Sequence, residues 1–247
     1  MNKPASAGVS AGLMNLPPAL RRLARNVWKE WVRPVVAMAA IILPFKSAIA
    51  DYNWVPTGSM KPTILEGDLV LVDKLAYDLK IPFTLTRLAS WDDPKPGDIV
   101  TFFSPKDGIR LVKRVIAGPG DKVEMRDEVL FLNGRRMDYS VPSDHPFDRE
   151  IYEDTHPVLA KEANAAGRAH WIMALPSRAA LRTFGPVTVP ADRYFMMGDS
   201  RDNSFDSRYF GTIERKQIVG RAGRVLLSLD KNHRYVPRLE RSLSRLE

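Results

Sequence analysis

A serine and a lysine frame the chemistry this chain could carry. Ser59 stands in Val55-Pro56-Thr57-Gly58-Ser59-Met60-Lys61-Pro62-Thr63, and Lys113 follows in Arg110-Leu111-Val112-Lys113-Arg114-Val115-Ile116. A serine hydroxyl is a weak nucleophile until a base takes its proton. An amine can be that base near neutral pH once burial lowers its pKa, a shift open to lysine but not in practice to arginine. No competing base is evident. His145, His156 and His170 fall in a stretch with little periodicity and His233 in a basic tail, so all four read as surface residues. A Ser-His-Asp triad therefore lacks its histidine. The chain has no Gly-x-Ser-x-Gly elbow, no His-Glu-x-x-His and no phosphate loop ending in Gly-Lys-Ser/Thr. It has no cysteine, which excludes disulfides, thiol nucleophiles and cysteine-ligated metal.

A third polar stretch runs Gly198-Asp199-Ser200-Arg201-Asp202-Asn203-Ser204-Phe205-Asp206-Ser207-Arg208-Tyr209-Phe210-Gly211. A calcium loop needs acidic or amide ligands at its first, third and fifth positions and glycine at the sixth. Counting from Asp199 puts Arg201 third and Ser204 sixth, so calcium does not fit. Alternating Asp and Arg suit a loop braced by its own ion pairs and side-chain-to-backbone hydrogen bonds.

Each of these residues needs an element to hold it. Pro56 and Pro62 restrict the serine stretch to turn or extended conformations, and Gly58 relaxes the backbone beside them. Such a turn can present Ser59 at the edge of a sheet; the same nine residues also read as a plain linker. Around Lys113 the pattern is that of a strand. With a period of two, Lys113 shares a face with Leu111 and Val115, and Arg114 shares the other with Val112 and Ile116. One of two adjacent cations must then face the more buried side, and lysine is the better candidate. A solvent-facing lysine on an edge strand is the plain alternative.

The rest of the chain is rich in strand signals. Short apolar runs at 69–72, 99–103, 111–117, 123–125, 129–132, 187–189, 194–197 and 223–229 are bounded by Asp, Gly and Pro, and Asn133-Gly134 marks a turn. Residues from about 140 to 186 lack this pattern. They read as an irregular insertion, with a short helix expected at 158–166.

The N-terminal segment differs again. Residues 1–50 carry seven Lys/Arg against one acid, and the tail 231–247 is basic as well. A nucleic-acid-binding domain would hold its positive charge on the folded body, so the placement at the ends points to a membrane surface instead. Basic residues at 21, 22, 25, 29 and 33 precede an apolar run at 34–45, which Lys46 interrupts before 47–50 continues it. A bilayer span takes about 20 residues, so 34–50 reaches spanning length only with Lys46 reaching out to the headgroups. Pro34 suits the first turn of such a helix and Pro44 would kink it. Three readings fit: a single anchor, an interfacial amphipathic helix, or a cleaved leader ending at Ala48-Ile49-Ala50. For an anchor, the positive-inside rule puts residues 1–33 in the cytoplasm and the body outside.

Taken together and in this order, the blocks resemble bacterial signal peptidase I, the membrane-bound leader peptidase with a Ser-Lys dyad. The matching blocks are the apolar anchor, Pro56 to Thr63, Gly97-Asp98-Ile99-Val100 with Lys113-Arg114-Val115-Ile116-Ala117-Gly118-Pro119-Gly120-Asp121, and Gly198 to Ser204. The resemblance implies a mostly β catalytic domain of the signal peptidase/LexA-like fold over 51–230, behind an N-terminal anchor helix and ahead of a basic tail. It implies Ser59 as nucleophile, Lys113 as general base, and Ser204 as the residue that orients the lysine. The oxyanion would be held by the Ser59 N–H and the Thr57 hydroxyl, with Asp199, Arg201, Asp206 and Arg208 bracing the site. Thr57 departs from the commoner serine and Ser200 from the frequent asparagine. No metal or organic cofactor is implied. The implied substrates are signal peptides of exported preproteins, small at −1 and −3 and bound as an added β-strand. The implied location is the inner membrane, with the catalytic body on its outer side. A dedicated processing peptidase of a secretion or conjugation system and an inactive membrane-anchored scaffold are the alternatives. LexA-type repressors share the dyad, but residues 1–50 make a poor DNA-binding domain.

Overall fold

The computed structural model describes residues 17–144, 147, 156–163 and 167–246. His145 and most of 145–155 therefore lie outside the described residues. The chain divides into two compact units at Lys46/Ser47.

The first unit is helical. Helix α1 (Pro18–Val27) runs through one π turn (Trp28–Val32) into α2 (Arg33–Ile49). Pro34 has no N–H to give to the ladder, and the π turn ends two residues before it, at Val32. The helix starts at Pro18 rather than at Pro34, and Pro44 sits inside α2 without ending it. The stretch Arg25–Ile49 is thus one 25-residue helix, long and apolar enough to cross a membrane. At about 1.5 Å per residue it outreaches a hydrocarbon core of about 30 Å. Trp28 and Trp31 are exposed on its N-terminal side.

The second unit is mostly β, as expected. Its strands are β1 (Ala50–Trp54), β2 (Asp68–Asp73), β3 (Asp78–Lys80), β4 (Arg87–Ser90), β5 (Ile99–Phe103), β6 (Arg110–Ala117), β7 (Lys122–Arg126), β8 (Val129–Leu132) and β9 (Arg135–Arg136). They continue with β10 (Asp138–Ser140), β11 (Val158–Ala163), β12 (Ala169–Ala174), β13 (Phe184–Thr188), β14 (Arg193–Met197), β15 (Ile213–Glu214), β16 (Ile218–Asp230) and β17 (Val236–Pro237). The main sheet has the order β1-β2-β16-β5-β6-β14-β15, with β17 beside β16. It curls far enough for Arg110 of β6 to hydrogen-bond Asp51 of β1, although three strands stand between them in the sheet.

Alternation along β14 feeds two cores. Phe195 and Met197 pack with Ile116, Val123, Met125 and Leu130 under a second sheet, β13-β7-β8-β9. Tyr194 and Met196 pack with Val100, Phe102, Val115 and Ile218 on the other face. A third cluster holds Val55, Met60 and Ile64 against Val70, Ile99 and Ala222. That cluster anchors the serine stretch on both sides of Ser59, which makes it part of the folded body rather than a linker.

The insertion is more regular than its sequence indicates. β10, β11 and β12 form an antiparallel sheet, and Val158–Ala163 is a strand, not a helix. Alanine favours helix locally, but partners on both edges outweigh so small a preference. β16 is also longer than the expected 223–229, because it pairs with β5 over 218–221 and with β2 over 221–228, with register shifts along the way.

Candidate active site

Val55 and Met60 are buried while Ser59, between them, is half-exposed. The turn closes through Lys61 N to Gly58 O at 3.1 Å and Ile64 N to Met60 O at 2.9 Å. Gly58 sits in close quarters rather than at an unusual backbone angle. A Cβ there would press on the Lys61 stem at 3.1 Å.

Lys113 projects from β6 onto this turn, and its Nζ hydrogen-bonds Ser59 Oγ at 2.5 Å. Lys113 is 3% exposed. Burial lowers its pKa to about 8, against the raising effect of Asp206 and Asp199, with Arg208 adding to the fall. Arg114 is just as buried, at 1% exposed. Both neighbouring cations are therefore enclosed, and no choice between them is made. Arg114 grips Asp199 with two parallel bonds, Nε to Oδ1 at 2.9 Å and Nη2 to Oδ2 at 2.8 Å. Thr63 Oγ1 donates to the same carboxylate at 2.5 Å, tying it to the serine turn. Although burial opposes it, Arg114 holds the Asp199 carboxyl below its ordinary range.

The polar loop after β14 wraps the turn from the other side. Ser200 N donates to Ser59 O at 3.2 Å. Gly198 permits this approach, since a Cβ there would collide with Ser59 O and with Ser204. Asp206 caps the short helix α3 (Ser207–Phe210) and pairs with Arg208 inside the loop, Nη2 to Oδ2 at 2.8 Å. Arg208 Nη2 also donates to Arg201 O at 2.5 Å. Asp206 and Arg208 pair with each other, whereas Asp199 and Arg201 turn to partners outside the loop. Arg201 holds Glu162 of β11 with Nη2 to Oε1 at 2.7 Å and Nη1 to Oε2 at 2.8 Å. Tyr139 OH donates to the same carboxylate at 2.6 Å.

His170 of β12 stands between Glu162 and Asp199, with Nε2 at 3.5 Å and 4.0 Å from them. It is buried, not at the surface, and burial lowers its pKa to about 4, with Arg114 adding to the fall. His156 and His233 are exposed. Sequence reasoning missed Thr63, Arg114, Tyr139, Glu162 and His170 as members of this network. The Asp-Arg alternation hinted at ion pairs, but no local signal names partners tens of residues away.

Ser59, Lys113, Thr57 and Ser204 line one open cavity of about 610 Å³. Ser204 Oγ is buried and makes no hydrogen bond, so Lys113 and Ser204 share the cavity without a bond between them. Thr57 is exposed at its rim. Among the described residues no group of three His, Cys, Asp or Glu could hold a metal ion. The arrangement can do acyl transfer: a hydroxyl beside a buried amine of lowered pKa, at the wall of a cavity open to a chain.

A family model described as signal peptidase, peptidase S26, matches residues 28–227. A signal peptidase I of Pseudomonas fluorescens is 34% identical over 214 residues, covering 81% of this chain and 72% of that protein. A signal peptidase I of Pseudomonas aeruginosa is 32% identical over 226 residues, covering 86% of this chain and 77% of the relative. A crystal structure of a signal peptidase I from Enterococcus faecalis V583 aligns with 53% of this chain and 98% of that one, at 28% identity and a TM-score of 0.33.

Proposed function

The chain belongs to the signal peptidase family, peptidase S26, and on that premise we propose that Ser59 and Lys113 carry its reaction as nucleophile and general base. It is a serine peptidase that removes signal peptides. One observation carries the assignment of the pair: Lys113 Nζ lies 2.5 Å from Ser59 Oγ, in a setting that lowers its pKa to about 8.

Neutral Lys113 takes the Ser59 proton as Oγ bonds to the carbon of the scissile carbonyl. As the C–N bond breaks, Lys113 returns that proton to the leaving amine. Water then attacks the acyl-serine, giving one proton through Lys113 back to Ser59 Oγ. The transient oxyanion is stabilised by the Ser59 N–H and the Thr57 hydroxyl, and one such donor typically contributes about 3 kcal/mol or more. Ser204 acts by filling the space beside the Lys113 amine. Asp199, Arg201, Asp206 and Arg208 keep the polar loop pressed on the turn.

The substrates have small residues at −1 and −3. The enzyme sits in the inner membrane through Arg25–Ile49, N-terminus in the cytoplasm and catalytic unit outside. The basic flank supports this orientation, and the 25-residue length supports a span. The test is cleavage of a purified preprotein after a small-x-small site. Ser59→Ala and Lys113→Met should each abolish it while leaving the fold intact by circular dichroism. Full activity in either variant would reject the pair.

A further inference from the structure

The basic tail folds back onto the serine turn. Lys231, directly after β16, donates through Nζ to Pro56 O at 2.9 Å. Arg241 donates through Nη2 to Thr63 O at 3.1 Å and to Asp68 Oδ2 at 2.9 Å. Two cations of the tail thus take main-chain carbonyls on either side of Ser59. The tail is itself fixed along β16, with Val225 N donating to Ser244 O at 3.0 Å and Leu246 N to Gly223 O at 3.1 Å. Leu246 packs against the cluster that holds Val55, Met60 and Ile64.

These bonds converge on the end of the turn. Asp68 is fully buried, and its Oδ2 accepts from Leu65 N at 2.9 Å as well as from Arg241. A buried carboxylate stripped of its cation is costly, so loss of Arg241 shifts Asp68 and the segment it holds. Thr63 is gripped from two directions, its O by Arg241 and its Oγ1–H by Asp199. From Thr63 the chain is three residues from Met60, the neighbour of Ser59. A tail kept only for a lipid surface would leave its cations in solvent, whereas Lys231 and Arg241 are both half-buried.

We propose that the C-terminal tail is a strap on the nucleophile turn, with Arg241 as a positioning residue that sets Ser59 against Lys113. The proposal rests on the Ser59/Lys113 reading above. Arg241 acts through Thr63 and Asp68, and none of the three lines the cavity that holds Ser59 and Lys113. Its loss therefore changes how often Ser59 Oγ stands within reach of the amine, and leaves the walls that meet a peptide in place. The effect belongs to kcat rather than to KM. A misplacement of about 1 Å at a reacting group can cost about 100-fold.

The test uses the full chain in detergent and one purified preprotein, at a temperature well below the Tm of every variant. Arg241→Met should lower kcat by about 10-fold or more, with KM and the acid limb as in the wild type. Arg241→Lys should recover part of the loss, because one nitrogen serves both acceptors and an ammonium can do the same. Lys231→Met should lower kcat in the same sense and by less, since it gives up one bond to an exposed carbonyl. The control is Val123→Ala, in a core that holds no residue of the turn or the tail; it should lower Tm and leave kcat alone. An unchanged kcat in either Met variant overturns the strap, as does a change confined to KM. An Arg241→Lys no better than Arg241→Met overturns the positioning role, and so does an equal loss of kcat in Val123→Ala. If Arg241→Met does not fold, Arg241→Lys and Lys231→Met decide: a lowered kcat at wild-type KM in both supports the strap, and wild-type kcat in either overturns it. A wild type that cuts no preprotein, or full activity in Ser59→Ala, overturns the peptidase reading itself, and the strap falls with it.

Discussion

A lysine with a pKa of about 8 is neutral in about a tenth of molecules at pH 7, which is enough for a base that recovers its proton balance between turnovers. With Lys113 as the proposed base, its burial sets the pH range of the enzyme. The acid limb of kcat/KM should rise with pH and bend near 8, measured on a substrate that does not titrate there; a flat acid limb would rule out a lysine base. The neighbouring Arg114 shows how narrow a residue-level reading is. Alternation demanded that one cation face the more buried side. Both are buried, each in its own way: Lys113 holds its proton less firmly, its pKa lowered to about 8, and Arg114 keeps its charge against Asp199. Only the first of these is visible in the local sequence.

At the scale of elements, the site is a turn held between a strand and a loop, and the loop is tied to the three-stranded sheet by charge. Glu162 is held below the usual carboxylate range; burial opposes this, and Arg201 outweighs it. Asp199 behaves likewise through Arg114. His170, between them, is kept neutral by burial, its pKa lowered to about 4. The signs agree. A depressed carboxyl gives stability that is present above its unfolded pKa and lost as pH falls through the folded one. A depressed histidine lets the unfolded chain take up a proton first, so stability falls from about pH 6.5 down to about 4. Mild acid should therefore loosen the loop before any carboxylate titrates. Replacing His170→Gln should move the onset of the fall in Tm from about 6.5 into the carboxylate range. An onset that stays put would show that His170 is not the group that gives way. This network escaped the sequence reading because β10 to β12 looked irregular, and Glu162 and His170 gain meaning only once those strands pair.

For the whole molecule, the chain divides into two compact units at Lys46/Ser47, within the last turn of the helix Arg25–Ile49. The apolar run 34–45 alone falls short of a span; the added length comes from residues whose composition gives no such signal. With the basic flank inside, protease added to intact cells with a permeabilised outer layer should digest the β unit and leave the helix and its basic flank protected. Protection of the β unit would reverse the orientation.

By itself the sequence determined the β class and the anchor-like segment, and it offered Ser59, Lys113 and the polar loop as candidates, because each is written in short motifs and in periods of two. The tertiary structure alone decided which partners the charged residues take, that both Lys113 and Arg114 are enclosed, and that β6 reaches β1 through Arg110 and Asp51. The physical reason is one of range. Turn chemistry and strand alternation act between neighbours. Ion pairs such as Arg114–Asp199 and Arg110–Asp51 join residues far apart in sequence, and only the curl of the sheet sets which of them meet.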